Sequence, residues 1–227
     1  MPDKGSATMR IEQLIEGGRQ SLKPGDTVAQ ARAQMAAQQV RHLPVVDTEG
    51  VLLGIISETQ LQAVADPSTP VVTLLQGEPV SVAPDMHVLD AGKILVQHGL
   101  TTLPVVESNR HYRGTVSSQQ LLEQLVRMLA TPEAGAILEL EIDARDYALS
   151  RLVYCVEQCD AKILAIIAQP LNAEGRLRVT VRLNVQDTAR IRHVLEHHGF
   201  HVTAAYSEED DEELRQRIEA FMRYLEV

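Results

Sequence analysis

The sequence contains no tryptophan, and its aromatic residues amount to only 3%. It also has no cluster of basic residues, and its formal net charge is −10 at pH 7. A surface that binds nucleic acid usually combines a basic patch with aromatic side chains that stack on bases. We therefore expect no direct binding to nucleic acid, and a small anion could be bound only in a local basic pocket.

Long apolar runs are missing as well. The longest run, residues 163–168, is far shorter than the about 20 residues that a membrane-spanning helix needs. Residues 1–8 are small and polar, without the basic and apolar regions of a signal peptide, and we interpret them as a flexible tail. We therefore expect a cytoplasmic protein that does not contact the membrane.

Cysteine is scarce, since Cys155 and Cys159 are the only two. Two thiols supply half of a structural zinc site, and no clear second pair of ligands follows, so we interpret them as buried structural thiols. No nucleophile, general acid or glycine-rich phosphate loop stands in a recognisable catalytic arrangement. The sequence thus predicts no metal site, no catalytic residue and no required cofactor.

An internal repeat is the strongest positive feature. Residues 43–46, Leu-Pro-Val-Val, return as residues 103–106, and Gly54 returns as Gly114, each 60 positions later. The same offset relates Leu14 to Leu74 without a gap. A unit that occurs only twice predicts two supersecondary units packed about a pseudo-two-fold axis rather than a solenoid.

Each copy shows the same succession of local patterns. Helical periodicity leads to a short β-branched strand, a turn and a second strand. Gly54 interrupts that second strand in copy one, which indicates a bulge or the close approach of another group. Ser57 and Ser117 then stand where a strand ends and a helix begins, as N-cap residues do.

This succession, with Leu-Pro-Val-Val followed by Gly-x-x-Ser in both copies, resembles the CBS-domain pair. The resemblance implies two βαββα units, with copy one at residues 9–65 and copy two at residues 71–130. In that family the clefts between the units often hold adenine nucleotides or related adenosyl compounds, and the pairs commonly dimerise. It therefore implies AMP, ADP, ATP or S-adenosylmethionine as a regulatory ligand, and a homodimer.

The family's ligand signature ends in an aspartate that grips both ribose hydroxyls, whereas here Gln60 and Gln120 occupy the two aspartate positions. A primary amide offers one neutral acceptor and holds a ribose diol less strongly than a carboxylate does. Ser57 with Gln60, and Ser117 with Gln120, also fit a capping box. These four residues are therefore candidates either for ligand clefts or for helix capping.

A basic residue favours a ligand. Arg41 lies three positions before Pro44, a place that resembles the position where nucleotide-binding members of the family set a basic side chain against phosphate. The equivalent residue in copy two is Thr101, so the predicted anion site is asymmetric. Arg41 could instead form a surface ion pair of little energetic value. We interpret the neighbouring His42 as a solvated residue.

Residues 136–206 show a different order, βαββαβ, in which one segment alternates between apolar and polar residues. This order predicts a ferredoxin-like domain, and behind a CBS pair it resembles an ACT domain. The turn after its first strand, residues 143–148, lacks the glycine that amino-acid-binding ACT domains usually have. We interpret the domain as an oligomerising or degenerate sensor unit, with amino-acid binding as the alternative.

Residues 207–227 predict a C-terminal amphipathic helix whose apolar stripe packs on its own domain or on a partner. The whole order resembles small bacterial proteins labelled after acetoin utilisation. We predict an α+β, homodimeric, non-enzymatic regulator whose CBS cleft binds an adenosyl ligand and reports it to a protein partner. The alternatives are an assembly scaffold with degenerate sites and, last, an enzyme.

Overall fold

The computed structural model describes residues 9–15, 21–129, 134–172 and 174–207. The chain divides near Leu129 into two compact units. No helix in these described ranges is long and apolar enough to cross a bilayer. Ser207 ends the last strand, and the rest of the predicted C-terminal helix lies outside the described residues, as does the predicted N-terminal tail.

The two sequence copies form the same elements in the same order in the first unit, which confirms the predicted CBS-type architecture. Each copy contains a helix, an antiparallel two-stranded hairpin and a second helix. The elements are α1 (Val28–Gln38), β1 (His42–Val46), β2 (Leu52–Ser57), α2 (Glu58–Gln62), α3 (Val88–Gln97), β3 (Thr102–Val106), β4 (Tyr112–Ser117) and α4 (Ser118–Leu129). The first strand of each βαββα unit is a single parallel bridge, Leu22 to Val45 and Val82 to Val105.

Local capping explains where the first helix begins. The Thr27 hydroxyl accepts a hydrogen bond from Gln30 N at 3.3 Å, and Gln30 Oε1 accepts one from Thr27 N at 2.7 Å. This capping box satisfies two amide groups that have no partner inside the helix. The helix then buries Val28, Ala31 and Met35 on one face.

Two short segments are exchanged between the copies. The first arm, residues 9–15, is the start of copy one but packs in the core of copy two, where Ile11 is fully buried. The second arm, residues 69–75, includes the start of copy two but packs in the core of copy one, where Val71 is fully buried. Gly54 makes room for the second arm, because a Cβ at that position would collide with the Leu75 side chain.

The two hairpins meet about the pseudo-two-fold axis. Leu52 N donates to Arg110 O at 3.2 Å, and Tyr112 N donates to Gly50 O at 2.8 Å. These two hydrogen bonds are symmetry images, since residues 52 and 112, and residues 50 and 110, are 60 positions apart. Beside them Val46, Leu52 and Tyr112 form a small buried cluster, in which Tyr112 is only 1% exposed.

The second unit is a four-stranded antiparallel sheet with two helices, as the alternating pattern predicted. Its elements are β5 (Ala136–Asp143), α5 (Leu149–Glu157), β6 (Ile163–Pro170), β7 (Arg176–Leu183), α6 (Ala189–His197) and β8 (His201–Ser207). The strand order β6-β7-β5-β8 is that of a ferredoxin-like fold. Alternate residues of β5 and β7 pack against both helices, and the free thiol of Cys155 lies buried in this core.

A glycine before β5 permits its pairing with β7. A Cβ on Gly135 would collide with the carbonyl oxygen of Leu183. We expect Gly135→Ala to lower the free energy of unfolding of the second unit by about 1–3 kcal/mol, because backbone must move to relieve the overlap. Urea unfolding followed by circular dichroism measures the loss.

The matched control is Gly92→Ala in α3, where an added Cβ meets no atom within 4 Å. Alanine restricts the unfolded chain and favours the helix, so this variant gains about 0.5–1 kcal/mol. A Gly135→Ala protein that is as stable as the parent would contradict the described strand pairing.

Candidate functional site

The predicted site residues lie in one band at the ends of the two hairpins. Ser57 pairs with His42 across the first hairpin, and Ser117 pairs with Thr102 across the second. Thr102 Oγ1 donates to the His42 carbonyl oxygen at 2.9 Å and so joins the hairpins. The band runs through both copies of the repeat.

Arg41 and Thr101, the equivalent residues of the two copies, are in direct contact. Arg41 N donates to Thr101 Oγ1 at 3.2 Å. The carbonyl oxygen of Arg41 accepts a hydrogen bond from Glu58 N, at the start of α2, at 2.8 Å. The carbonyl oxygen of Thr101 accepts one from Ser118 N, at the start of α4, at 2.9 Å. The backbone arrangement is therefore symmetric, whereas the side chains at its centre are not.

Gln60 completes a capping box in copy one. Its Oε1 accepts from Ser57 N at 2.8 Å, and its backbone N donates to Ser57 Oγ at 3.2 Å. Its Nε2 donates at 3.2 Å to the carbonyl oxygen of Leu74, a residue of the second arm. Both ends of the amide are therefore engaged in structural hydrogen bonds.

Gln120 repeats this arrangement in copy two. Its Oε1 accepts from Ser117 N at 2.8 Å, and its Nε2 donates to Leu14 O of the first arm at 3.0 Å. A carboxylate has no proton to donate to a carbonyl, so aspartate could not make this link. The capping role predicted as one alternative for these four residues is present, and glutamine adds a link to the arm that pattern analysis did not foresee.

His42 is half-buried at the contact between the copies, so its interpretation as a solvated residue is wrong. Its Nδ1 accepts a hydrogen bond from Thr101 N at 3.2 Å, which requires that nitrogen to be unprotonated. Burial lowers the pKa of His42, the charge of Arg41 lowers it further, and Glu58 opposes both. The neutral ring thus serves as an acceptor within the joint.

The guanidinium of Arg41 points away from this joint. The side chain is 76% exposed, and its Nε lies 3.8 Å from Glu58 Oε2, so the predicted surface ion pair exists but is weak. A cavity of about 460 Å³, which we call the Arg41 cavity, lies between α1, α2 and the start of β1. Its lining residues are Arg32, Met35, Ala36, Gln39, Val40, Arg41, Glu58 and Gln62.

Arg41 is the only one of the six predicted site residues that lines this cavity. A second arginine, which the sequence analysis missed, stands in its wall. Arg32 Nη2 donates to Leu61 O at 2.6 Å and to Val64 O at 3.3 Å. It holds the end of α2 in place and adds a second positive charge. Its equivalent in copy two is Gly92, so the repeat contains no signal for it.

Comparison with known proteins assigns the family. The CBS domain-containing protein YhcV of Bacillus subtilis is 30% identical over 123 residues, which are 52% of this chain and 84% of that protein. An uncharacterized 17.7 kDa protein of Acidianus ambivalens is 31% identical over 120 residues, 52% of this chain and 73% of that protein. The CBS domain model matches residues 20–66 and 63–127. This chain belongs to the CBS domain family.

Similar solved structures include other CBS proteins. A CBS domain pair/ACT domain protein of Thermotoga maritima is 23% identical with a TM-score of 0.49, over 54% of this chain and all of that one. CBSX2, solved in complex with AMP, is 20% identical with a TM-score of 0.48, over 53% of this chain and 98% of that one. Two further relatives are enzymes, a homoserine O-acetyltransferase of Methanocorpusculum labreanum and an inosine-5'-monophosphate dehydrogenase of Methanocaldococcus jannaschii. The match to this chain covers only 23% of the first enzyme's length and 32% of the second's.

The glutamine links give a prediction about stability. We expect Gln60→Ala and Gln120→Ala each to lower the free energy of unfolding by about 1–3 kcal/mol, because part-buried backbone groups lose their partners. Gln→Glu at either position keeps the acceptor of the capping box but sets a carboxylate against the arm carbonyl, and it should also destabilise. Urea unfolding measures both changes.

Gln119→Ala is the matched control, since the exposed Gln119 side chain bonds to Glu123 at 3.1 Å and to no other residue of the described ranges. An exposed pair one helical turn apart contributes about 0.2–0.5 kcal/mol. If Gln60→Glu proved as stable as the parent, the link to the second arm would contribute nothing.

The buried acceptor of His42 predicts a pH dependence of stability. Because the pKa is lowered in the folded state, the unfolded chain takes up a proton first as pH falls below the ordinary value of 6.5. The contribution of His42 to the free energy of unfolding is therefore complete above that pH. It is lost as the pH falls from there through the folded pKa of His42.

Urea unfolding at several pH values from about 8 to about 5 measures this loss, and His42→Gln should remove the part that belongs to His42. An unchanged pH profile in that variant would assign the dependence to other groups.

Proposed function

We propose that this CBS protein is a non-enzymatic regulator that binds an adenine nucleotide or adenosyl compound in the Arg41 cavity. The observation that carries the proposal is the double role of Arg41. Arg41 lines a cavity large enough for a nucleotide, and its backbone N donates to Thr101 of the other copy at 3.2 Å. A ligand that engages this side chain acts on a residue of the joint between the copies.

The chemistry of the cavity suits a phosphate with an attached base. Arg41 offers a planar fork of donors, and its 3.8 Å pair with Glu58 is weak enough for a phosphate to displace. Met35 and Val40 supply apolar wall, and the amides of Gln39 and Gln62 can meet the polar edge of a base. A local basic site of this kind is what a protein of net charge −10 needs to hold an anion.

Signalling requires the ligand to prefer one packing of the two copies over another. The hydrogen bonds among Arg41, His42 and Thr101 are the contacts that such a preference would alter. We infer that the ferredoxin-like unit, as an ACT-like module, reports the change to a protein partner in the bacterial cytoplasm.

We further infer a homodimer. The side chains of Leu122, Val126 and Leu129 on α4 are 61%, 51% and 43% exposed and follow one another on one helical face. An exposed apolar stripe of this kind supports a subunit contact.

An assembly scaffold is the second candidate. Its support is that Gln60 and Gln120, at the positions where the family grips ribose, are engaged in capping boxes and arm contacts. In that case the duplicated fold holds subunits together without a ligand.

Isothermal titration with AMP, ADP, ATP and S-adenosylmethionine separates the two candidates. We expect micromolar binding of at least one ligand, weakened about 10- to 100-fold in Arg41→Ala through loss of a charge-assisted contact. Arg113→Ala is the control, because Arg113 is also exposed and paired, at 2.8 Å to Glu107, but lies outside the cavity. Folded protein that gives no heat with any of the four supports the scaffold instead.

A further inference from the structure

A second basic cavity lies where the first arm packs against copy two. It measures about 430 Å³ and shares no lining residue with the Arg41 cavity. One wall comes from the first arm and the other from α4, with the first residue of α3 between them. The residues that matter for its chemistry are Met9, Arg10, Gln13, Leu14, Gln124 and Arg127.

The lining combines positive charge with an apolar base. Two arginines and two glutamines supply its polar side chains, and none of its described lining residues carries a carboxylate. Met9 and Leu14 are partly buried against the core of copy two and supply its apolar surface. In a chain of net charge −10, a cavity whose described lining holds two arginines and no acid is a local exception that favours an anion.

Both arginines can serve a ligand. Arg10 lies 3.8 Å from Glu12, with both side chains about half exposed, which is a weak pair. Arg127 lies in the last turn of α4. Of the residues that the structure describes, none forms an ion pair with Arg127.

The walls are held in place without a ligand. Val88 N donates to Met9 O at 3.0 Å, and Ile11 N donates to Met86 O at 3.0 Å. Gln120 Nε2 donates to Leu14 O at 3.0 Å and ties α4 to the first arm. The backbone of both walls is therefore ordered before a ligand enters, and binding has to fix only the side chains.

We propose that this arm cavity binds an organic phosphate monoester. The phosphate pairs with Arg10 and Arg127, the amides of Gln13 and Gln124 donate further hydrogen bonds, and an apolar body covers Met9 and Leu14. Because its two walls belong to the exchanged arm and to copy two, an occupied cavity holds the exchange in place. This site is additional to the Arg41 cavity and does not depend on it.

Calorimetric titration of the full chain with hexyl phosphate and with inorganic phosphate tests the proposal. Hexyl phosphate should bind at least about tenfold more tightly, because its chain buries apolar surface that the inorganic ion lacks. Arg127→Gln and Arg10→Gln should each weaken hexyl phosphate at least about tenfold. Both arginine side chains are exposed, so these variants should fold, and thermal unfolding without ligand verifies it.

The controls separate the two cavities. Arg113→Gln and Arg41→Ala should leave hexyl phosphate binding unchanged, whereas the binding of S-adenosylmethionine, an adenosyl ligand without a phosphate, should be weakened only by Arg41→Ala. The proposal is overturned by equal affinity for the two probes, by binding that survives both Arg10→Gln and Arg127→Gln, or by binding that Arg41→Ala abolishes.

Discussion

The side-chain amides of Gln60 and Gln120 connect parts of the chain that are 14 and 106 residues apart in sequence. Each amide accepts from the backbone at the start of its helix and donates to the carbonyl of an arm. One side chain thus fixes a helix start, a strand end and an exchanged arm at once. The burial of Ile11 and Val71 in opposite cores depends on these arms staying in place.

The two copies of the repeat have the same backbone arrangement but carry different side chains at several equivalent positions. Arg41 faces Thr101 across the axis, and Arg32 in copy one corresponds to Gly92 in copy two. The basic cavity beside α1 and α2 therefore has no arginine-lined image in copy two. The arm cavity is likewise confined to one side, since its arginines come from the first arm and from α4.

The 60-residue offset is sufficient to predict both hairpins and both capping boxes, because the required residues recur in each copy. It cannot assign the arms, since Ile11 and Val71 occupy equivalent positions and the repeat does not indicate which core each one enters. The role of His42 also escaped prediction, because its partner Thr101 is 59 residues away and only the meeting of the hairpins brings them together. The ferredoxin-like unit followed from the order of its strands and helices, each of which is recognised by a local periodicity.

Glutamine in place of the family's aspartate changes what the two positions can do. A carboxylate grips a ribose diol, whereas an amide can join the helix to the arm through its own donor. In the proposed site, recognition of a ligand by copy one rests on Arg41, whose backbone belongs to the joint while the residue also lines the Arg41 cavity. The sensor and scaffold roles are therefore linked. A ligand that displaces Arg41 can affect the other copy only through the hydrogen bonds among Arg41, His42 and Thr101, and these transmit a change only if the joint is rigid.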